Sequence, residues 1–356
     1  MRHRILVINP GSTSTEVAIF EDETHRFKTR RDYDRQELAK YASSVEQYDM
    51  RIKGVKDILR EEGVEPSTCS AVVSRGGLLK PMESGTYRVT PEMVRDIRSG
   101  KVMSPHISNI APLIAFEIAQ AANVPAFIAD PVSVDEFEPL ARISGIPEIQ
   151  RKALQHTLNI KAVVRKVARE SERKLTDLNL IVAHLGGGIS ICPVKKGKIV
   201  DANNANEGGP FSPERAGGLP SLSLVSLCFS DQHSRDWIRR RLIGEGGLVA
   251  YLGTNRIEEV EKRIEAGDEE ARLVYEAMAY QISKEIAGMA AVLKGDVDRI
   301  VVTGGCAHSK LLTGWIEERV SFIAPVLILP GADEVASLAH AALRVLRGEE
   351  SERTYK

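Results

Sequence analysis

Ile5-Leu6-Val7-Ile8-Asn9-Pro10-Gly11-Ser12-Thr13-Ser14-Thr15-Glu16-Val17-Ala18-Ile19-Phe20 is the stretch on which the reading of the whole chain turns. Ile5 to Ile8 is a continuous apolar run, the pattern of a strand buried on both faces. Glu16 to Phe20 reads as its return strand, ended by Glu21-Asp22-Glu23. Between them lies a long hairpin tip of small residues. Such a tip suits phosphate, because glycine lets backbone N–H groups approach closely and the hydroxyls of Ser12, Thr13, Ser14 and Thr15 add hydrogen bonds. On spacing alone the ordinary polar hairpin is the favoured reading, since the tip matches neither the P-loop nor the G-x-G-x-x-G pattern.

The second half of the chain opens in the same way. Leu178 to His184 reads as a strand, Leu185-Gly186-Gly187-Gly188 as a turn and Ile189 to Val194 as the return strand. A further turn at Lys195 to Lys198 leads into Ile199-Val200-Asp201, and Asp298 to Thr303 is another apolar run that breaks into Gly304-Gly305 before a helix from Ser309. This is a weak internal repeat of strand, small-residue turn and strand. Phosphoryl transfer needs mostly donors and cations placed around charged oxygens, which such turns supply. Elsewhere, helical periodicity runs from about 35 to 62, and Ser70 to Ser74 reads as a strand entering Arg75-Gly76-Gly77. Pro91 to Ile97 and Ser108 to Ala122 read as helices, and Pro125 to Ala129 as a strand stopped by Asp130-Pro131. Lys152 to Arg173 and Asp333 to Arg347 read as helices.

A chain of 356 residues is too long for one compact core. The expected lobes are 1–150 and 151–334, with the C-terminal helix, about 335–356, packing back on the first. Lys plus Arg (48) nearly balance Asp plus Glu (49), so no overall field draws nucleic acid or an anionic membrane. Cys69, Cys192, Cys228 and Cys306 form no C-x-x-C pair and read as buried thiols in a reducing compartment. The N-terminal apolar run is too short for a signal peptide, and no stretch approaches the ~20 apolar residues of a membrane span, so a cytoplasmic location is expected.

Several segments together resemble the acetokinase family, within the superfamily of acetate and sugar kinases, Hsp70 and actin. They are Ile8 to Thr15, Val73-Ser74-Arg75-Gly76-Gly77-Leu78-Leu79, Ala183-His184-Leu185-Gly186-Gly187-Gly188-Ile189-Ser190, Phe211-Ser212-Pro213-Glu214-Arg215, and Gly246 to Thr254. The resemblance implies an α/β protein with two similar lobes of the ribonuclease H-like, actin-type ATPase fold. Mixed sheets would be flanked by helices, with an interlobe ATP cleft. It further implies reversible transfer of the γ-phosphate of ATP, with Mg²⁺, to a short-chain carboxylate, giving an acyl phosphate and ADP. Butyrate is the expected acid, with acetate, propionate or a branched-chain acid as alternatives, and a homodimer or higher oligomer is implied. An actin-like nucleotide-switched binding protein is the alternative from another class, but a mere switch does not need the arginine and histidine set.

By the same resemblance, Asn9, Ser12, Thr13 and Ser14 match the first phosphate turn, and His184, Gly186, Gly187 and Gly188 the second. Thr254, Asn255 and Arg256 would line one side of the adenosine pocket, with Gly304 and Gly305 on the other. His156 is similar to a histidine that contacts the transferring phosphate; a lone histidine at a helix start is otherwise more often structural. Arg75 and Arg215 are candidates to clamp carboxylate and phosphoryl oxygens, since a guanidinium presents a planar fork that stays charged. Arg151 is a further candidate, and His106 is similar to a histidine near the substrate. Glu334, Asn9 and Asp130 match positions associated with magnesium, and Asp130 is also a catalytic candidate. On sequence alone, Glu334 reads as well as a first-turn glutamate favoured by the helix dipole.

Overall fold

The computed structural model describes residues 2–331 and 333–356. They form two compact units, Met1–Asp135 with Asp333–Lys356, and Glu136–Ala332. In the first unit, β1 (Arg4–Pro10), β2 (Ser14–Glu21), β3 (Thr24–Asp32), β4 (Ala71–Arg75), β5 (Thr86–Arg88) and β6 (Ala126–Ala129) make a six-stranded sheet of order β3-β2-β1-β4-β6-β5. β1 pairs antiparallel with β2, from Arg4↔Glu21 to Pro10↔Thr15, and parallel with β4, from Ile5↔Ala71 to Ile8↔Ser74. β4 and β6 are also parallel, with Arg75 opposite Ala129. Asn9, Arg75 and Asp130 therefore stand at the carboxyl ends of three neighbouring parallel strands, where open α/β sheets hold their ligands.

Alternation along the strands builds the core. Leu6, Ile8, Val17, Ile19 and Val72 pack with the helices Tyr48–Glu61 and Ala111–Ala122. The helix Glu334–Leu346 packs on β1, β4 and β6 as well, and its cap Asp333 accepts from the Ala336 N–H at 2.9 Å.

The second unit repeats the plan. β7 (Asn179–Leu185), β8 (Ile189–Lys195), β9 (Lys198–Ile199), β10 (Arg299–Gly304) and β11 (Val326–Pro330) form a five-stranded sheet of order β11-β10-β7-β8-β9. β7 pairs antiparallel with β8 and parallel with β10, as β1 does with β2 and β4. Along β7, Ile181, Ala183 and Leu185 face a core shared with the helices Glu269–Val292 and Lys310–Val320. Leu180 and Val182 face another, shared with the helix Thr157–Glu170.

Four features differ from the sequence reading. The division between units falls after Asp135 rather than after residue 150, because Phe137, Ala141 and Ala153 are buried in the core under β7. β3 carries alternating polar and charged side chains on a sheet edge, so hydropathy does not reveal it. The periodic stretch 35–62 is broken into a short helix, Arg35–Leu38, and the helix Tyr48–Glu61; between them the Glu46 carboxylate accepts from the Ala42 N–H and the Ser43 hydroxyl. The helix expected from Lys152 begins at Thr157, and the Ser190 hydroxyl engages both the backbone and the ring of His156 just before it.

Candidate active site

In the first unit, the Asn9–Thr15 turn is closed by the Gly11 N–H on the Ser14 carbonyl at 2.8 Å and fastened from beneath. Arg51, fully buried on the helix Tyr48–Glu61, donates to the Ser14 carbonyl at 2.7 Å, the Ser12 carbonyl at 2.9 Å and Thr15 Oγ1 at 3.1 Å. The Tyr33 N–H takes the Thr13 carbonyl at 2.8 Å. Asn9 Nδ2 bridges Glu16 at 3.2 Å and Glu334 at 3.1 Å, while its Oδ1 is buried without a hydrogen-bond donor among the described residues. Arg75 Nη1 pairs with the same Glu334 carboxylate at 3.0 Å. Asn9, Arg75 and Glu334, far apart in sequence, thus form one polar cluster.

Gly76 and Gly77 let the Arg75 segment turn, since a Cβ on Gly77 would stand 2.0 Å from Asn109 Oδ1 and 2.7 Å from Asn109 Cα. Asp130, at a φ of 39°, accepts from Ser84 Oγ at 2.6 Å and the Gly85 N–H at 2.9 Å, so its carboxylate braces the loop before β5. His106 caps the turn Ile107–Ile110, its Nδ1 accepting from the Ser108 N–H at 3.2 Å. It is exposed, and the Ser108 hydroxyl lies 2.7 Å from the same nitrogen.

The second unit builds its phosphate turn differently. The rings of His156 and His184 stack with centroids 4.2 Å apart. Ser190 Oγ lies 2.8 Å from His156 Nδ1, and Asn159 Oδ1 lies 2.7 Å from His184 Nδ1, which orients both rings. Gly188 gives way to a side chain: a Cβ there would stand 2.3 Å from Arg215 Nη1. Ser212 Oγ donates to the Gly187 carbonyl at 2.5 Å and accepts from the Arg215 N–H at 3.1 Å, tying turn and arginine together. Burial pulls the Arg215 guanidinium below its usual pKa, opposed by neighbouring Glu214. Arg151 is spent otherwise, pairing with Asp201 at 2.8 Å and donating to the Ala141 and Ala202 carbonyls at 2.7 and 3.0 Å. It braces a loop.

Beside this turn, and wholly within the second unit, lies a cavity of about 450 Å³. Gly186, Gly187, Asn255, Arg256 and Gly305 line it, together with Glu258, Glu261 and Cys306. Gly304, at a φ of 92°, packs where a Cβ would stand 2.3 Å from the Leu185 carbonyl oxygen, which sets β10 against the turn. Asn255 Nδ2 donates to Glu214 at 2.5 Å, and the Thr254 hydroxyl donates to Glu259 at 2.6 Å. At one end, buried Tyr275 bonds Ser309 Oγ at 3.0 Å, and both hydroxyls face Glu261. Burial pushes the Cys306 thiol up to about 12, so it stays protonated.

Sequence reasoning missed Arg51, Asn159, Ser190, Ser212 and the Glu261 network. Only Arg51 carried a signal, for it falls on the apolar stripe of its helix with Val55, Ile58 and Leu59.

Residues 149–312 match the acetokinase family. The chain is 51% identical over 352 residues, 99% of both sequences, to a probable butyrate kinase 2 of Caldanaerobacter subterraneus subsp. tengcongensis. Among solved structures, an acetate kinase of Porphyromonas gingivalis aligns over 97% of this chain and 100% of its own, with a TM-score of 0.78 at 18% identity. A propionate kinase of Francisella tularensis subsp. tularensis aligns over 95% and 98%, with a TM-score of 0.74 at 18% identity. Those two likenesses establish the fold.

Proposed function

The chain belongs to the acetokinase family, and from that premise we propose that it transfers the γ-phosphoryl group of ATP reversibly to butyrate, giving butyryl phosphate and ADP. The observation that carries the chemistry is the stacked His156–His184 pair in the unit where Arg215 lies against the Gly186–Gly188 turn. The choice of acid rests on the likeness to the probable butyrate kinase 2.

A carboxylic acid of pKa about 4 to 5 is ionised at pH 7, so the attacking carboxylate needs no general base. One of its oxygens bonds to the γ-phosphorus in line as the bond to the ADP oxygen breaks. Arg75 orients the carboxylate; Arg215 and His156, oriented by Ser190, stabilise charge on the equatorial oxygens. The Gly186–Gly188 turn and the adjoining cavity hold ATP. The bonds that Asp130 makes to Ser84 and Gly85 favour this reading over a sugar kinase, in which an aspartate takes a hydroxyl proton.

Magnesium is part of the proposal. Buried Asn9 Oδ1 and the Glu334 carboxylate are hard oxygen donors, and Mg²⁺ typically takes one or two such groups plus waters and phosphates. Bound there, it would neutralise charge on the transferring phosphates. No helix among the described residues is long and apolar enough to cross a membrane; a cytoplasmic location and a homo-oligomer belong to the same proposal.

The test is a kcat/KM series over straight and branched C2 to C6 acids, trapping acyl phosphate with hydroxylamine, with hexoses in parallel. Butyrate is expected to lead, with each methylene removed lowering kcat/KM by roughly fourfold, the worth of ~0.8 kcal/mol of burial. Hexose phosphorylation without hydroxamate would sink the reading.

A further inference from the structure

Arg51 is among the largest fully buried side chains of the described residues and makes no ion pair among them. Its partners are all neutral. Besides the Ser12 and Ser14 carbonyls and Thr15 Oγ1, its Nε and Nη2 donate to Gln47 Oε1 at 3.3 and 3.0 Å, and it lies 4.2 Å from the centroid of the Tyr33 ring. A guanidinium cannot shed its proton at neutral pH, and a buried charge without a counter-charge is expensive. Burial lowers its pKa, opposed by the nearby Tyr33. What lies directly above it is the Asn9–Thr15 turn.

The contacts are also directional. A trans peptide sets its N–H opposite its carbonyl, so holding the Ser12 carbonyl on Arg51 sends the Thr13 N–H away from the core. We propose that Arg51 is a positioning residue for phosphate: it fixes the Ser12–Thr15 backbone as an anion-binding turn and places under it a fixed positive charge that the phosphates of bound nucleotide neutralise. Gln47 and Tyr33 hold the guanidinium at that station. The inference rests on the kinase reading, because it takes the turn's ligand to be the phosphate chain of ATP.

The experiment compares the wild-type chain with R51M, R51K and Q47L, titrating ATP, ADP, AMP and adenosine by calorimetry and measuring KM for ATP and for butyrate. Loss of a charge-assisted contact predicts that R51M weakens ATP and ADP by about tenfold or more. Adenosine affinity and KM for butyrate stay within twofold, and R51K recovers most of the loss. Q47L, which keeps the charge but loosens its seat, weakens ATP by roughly threefold. An R51M protein with unchanged ATP affinity overturns the proposal, as does one that weakens ATP and adenosine equally. If R51M does not accumulate folded, Q47L decides alone: unchanged ATP affinity in it overturns the proposal. Hydroxamate formation by the wild-type chain reports separately on the enzymatic reading, since Arg51-dependent ATP binding without acyl phosphate would sink that reading and leave this one standing.

Discussion

The two small-residue turns occupy the same place in the same strand plan, β1-to-β2 and β7-to-β8, yet they are made from opposite materials. The first is a run of hydroxyl residues with its cation buried beneath it in Arg51. The second is bare glycine, and its cation, Arg215, lies against the turn itself, in the space a Cβ on Gly188 would need. A cation set under a turn can shape binding but cannot follow the charge as it moves. One lying against the turn can. Under the proposed function, the difference gives ground-state phosphate binding to the first turn and stabilisation of the transferring group to the second.

Replacing Arg215 by Ala should therefore do most, lowering kcat on the order of 10³-fold with KM for ATP little changed, by steady-state kinetics. An equal rise in KM would erase the distinction between the turns. Gly188→Ala displaces the guanidinium without removing it, and a misplacement of that size lowers kcat by about 10²-fold. Wild-type kcat in that variant would show that the close approach is incidental. Gly304→Ala tests the support of the second turn. With a φ of 92° and the Leu185 carbonyl 2.3 Å from the new Cβ, it should destabilise the protein by about 2 to 3 kcal/mol, read by denaturant midpoint. Ser12→Ala is the mildest, raising KM for ATP about fivefold through one lost hydrogen bond and leaving kcat alone. A fall in kcat instead would give the first turn a share in the transition state.

What the sequence made legible follows the same contrast. The Gly186–Gly188 turn, the Gly304–Gly305 break and the strands around them are local patterns, and the structure places them as read. Asn255 and Arg256, singled out through resemblance, line the cavity. Arg51 lay hidden because a charged residue on an apolar stripe shows no partner until β2 folds over it. Ser190 and Asn159 orient the two histidines from another strand and another helix, a tertiary fact without sequence spacing. Lys152 to His156 has helical propensity throughout, but the Ser190 bonds to His156 hold its last residue outside the helix. Arg151 shows the converse: residue type suggested a clamp, and geometry made it a brace on Asp201.

The claim that a carboxylate oxygen attacks the γ-phosphorus is open to one direct measurement. Butyrate labelled with ¹⁸O in its carboxylate is incubated with ATP and this chain, and the product is examined by ³¹P NMR. The account predicts an acyl phosphate resonance displaced by ¹⁸O in the bridge between carbonyl carbon and phosphorus. An acyl phosphate with unlabelled oxygen in that bridge, or no acyl phosphate at all while ATP is consumed, would contradict it.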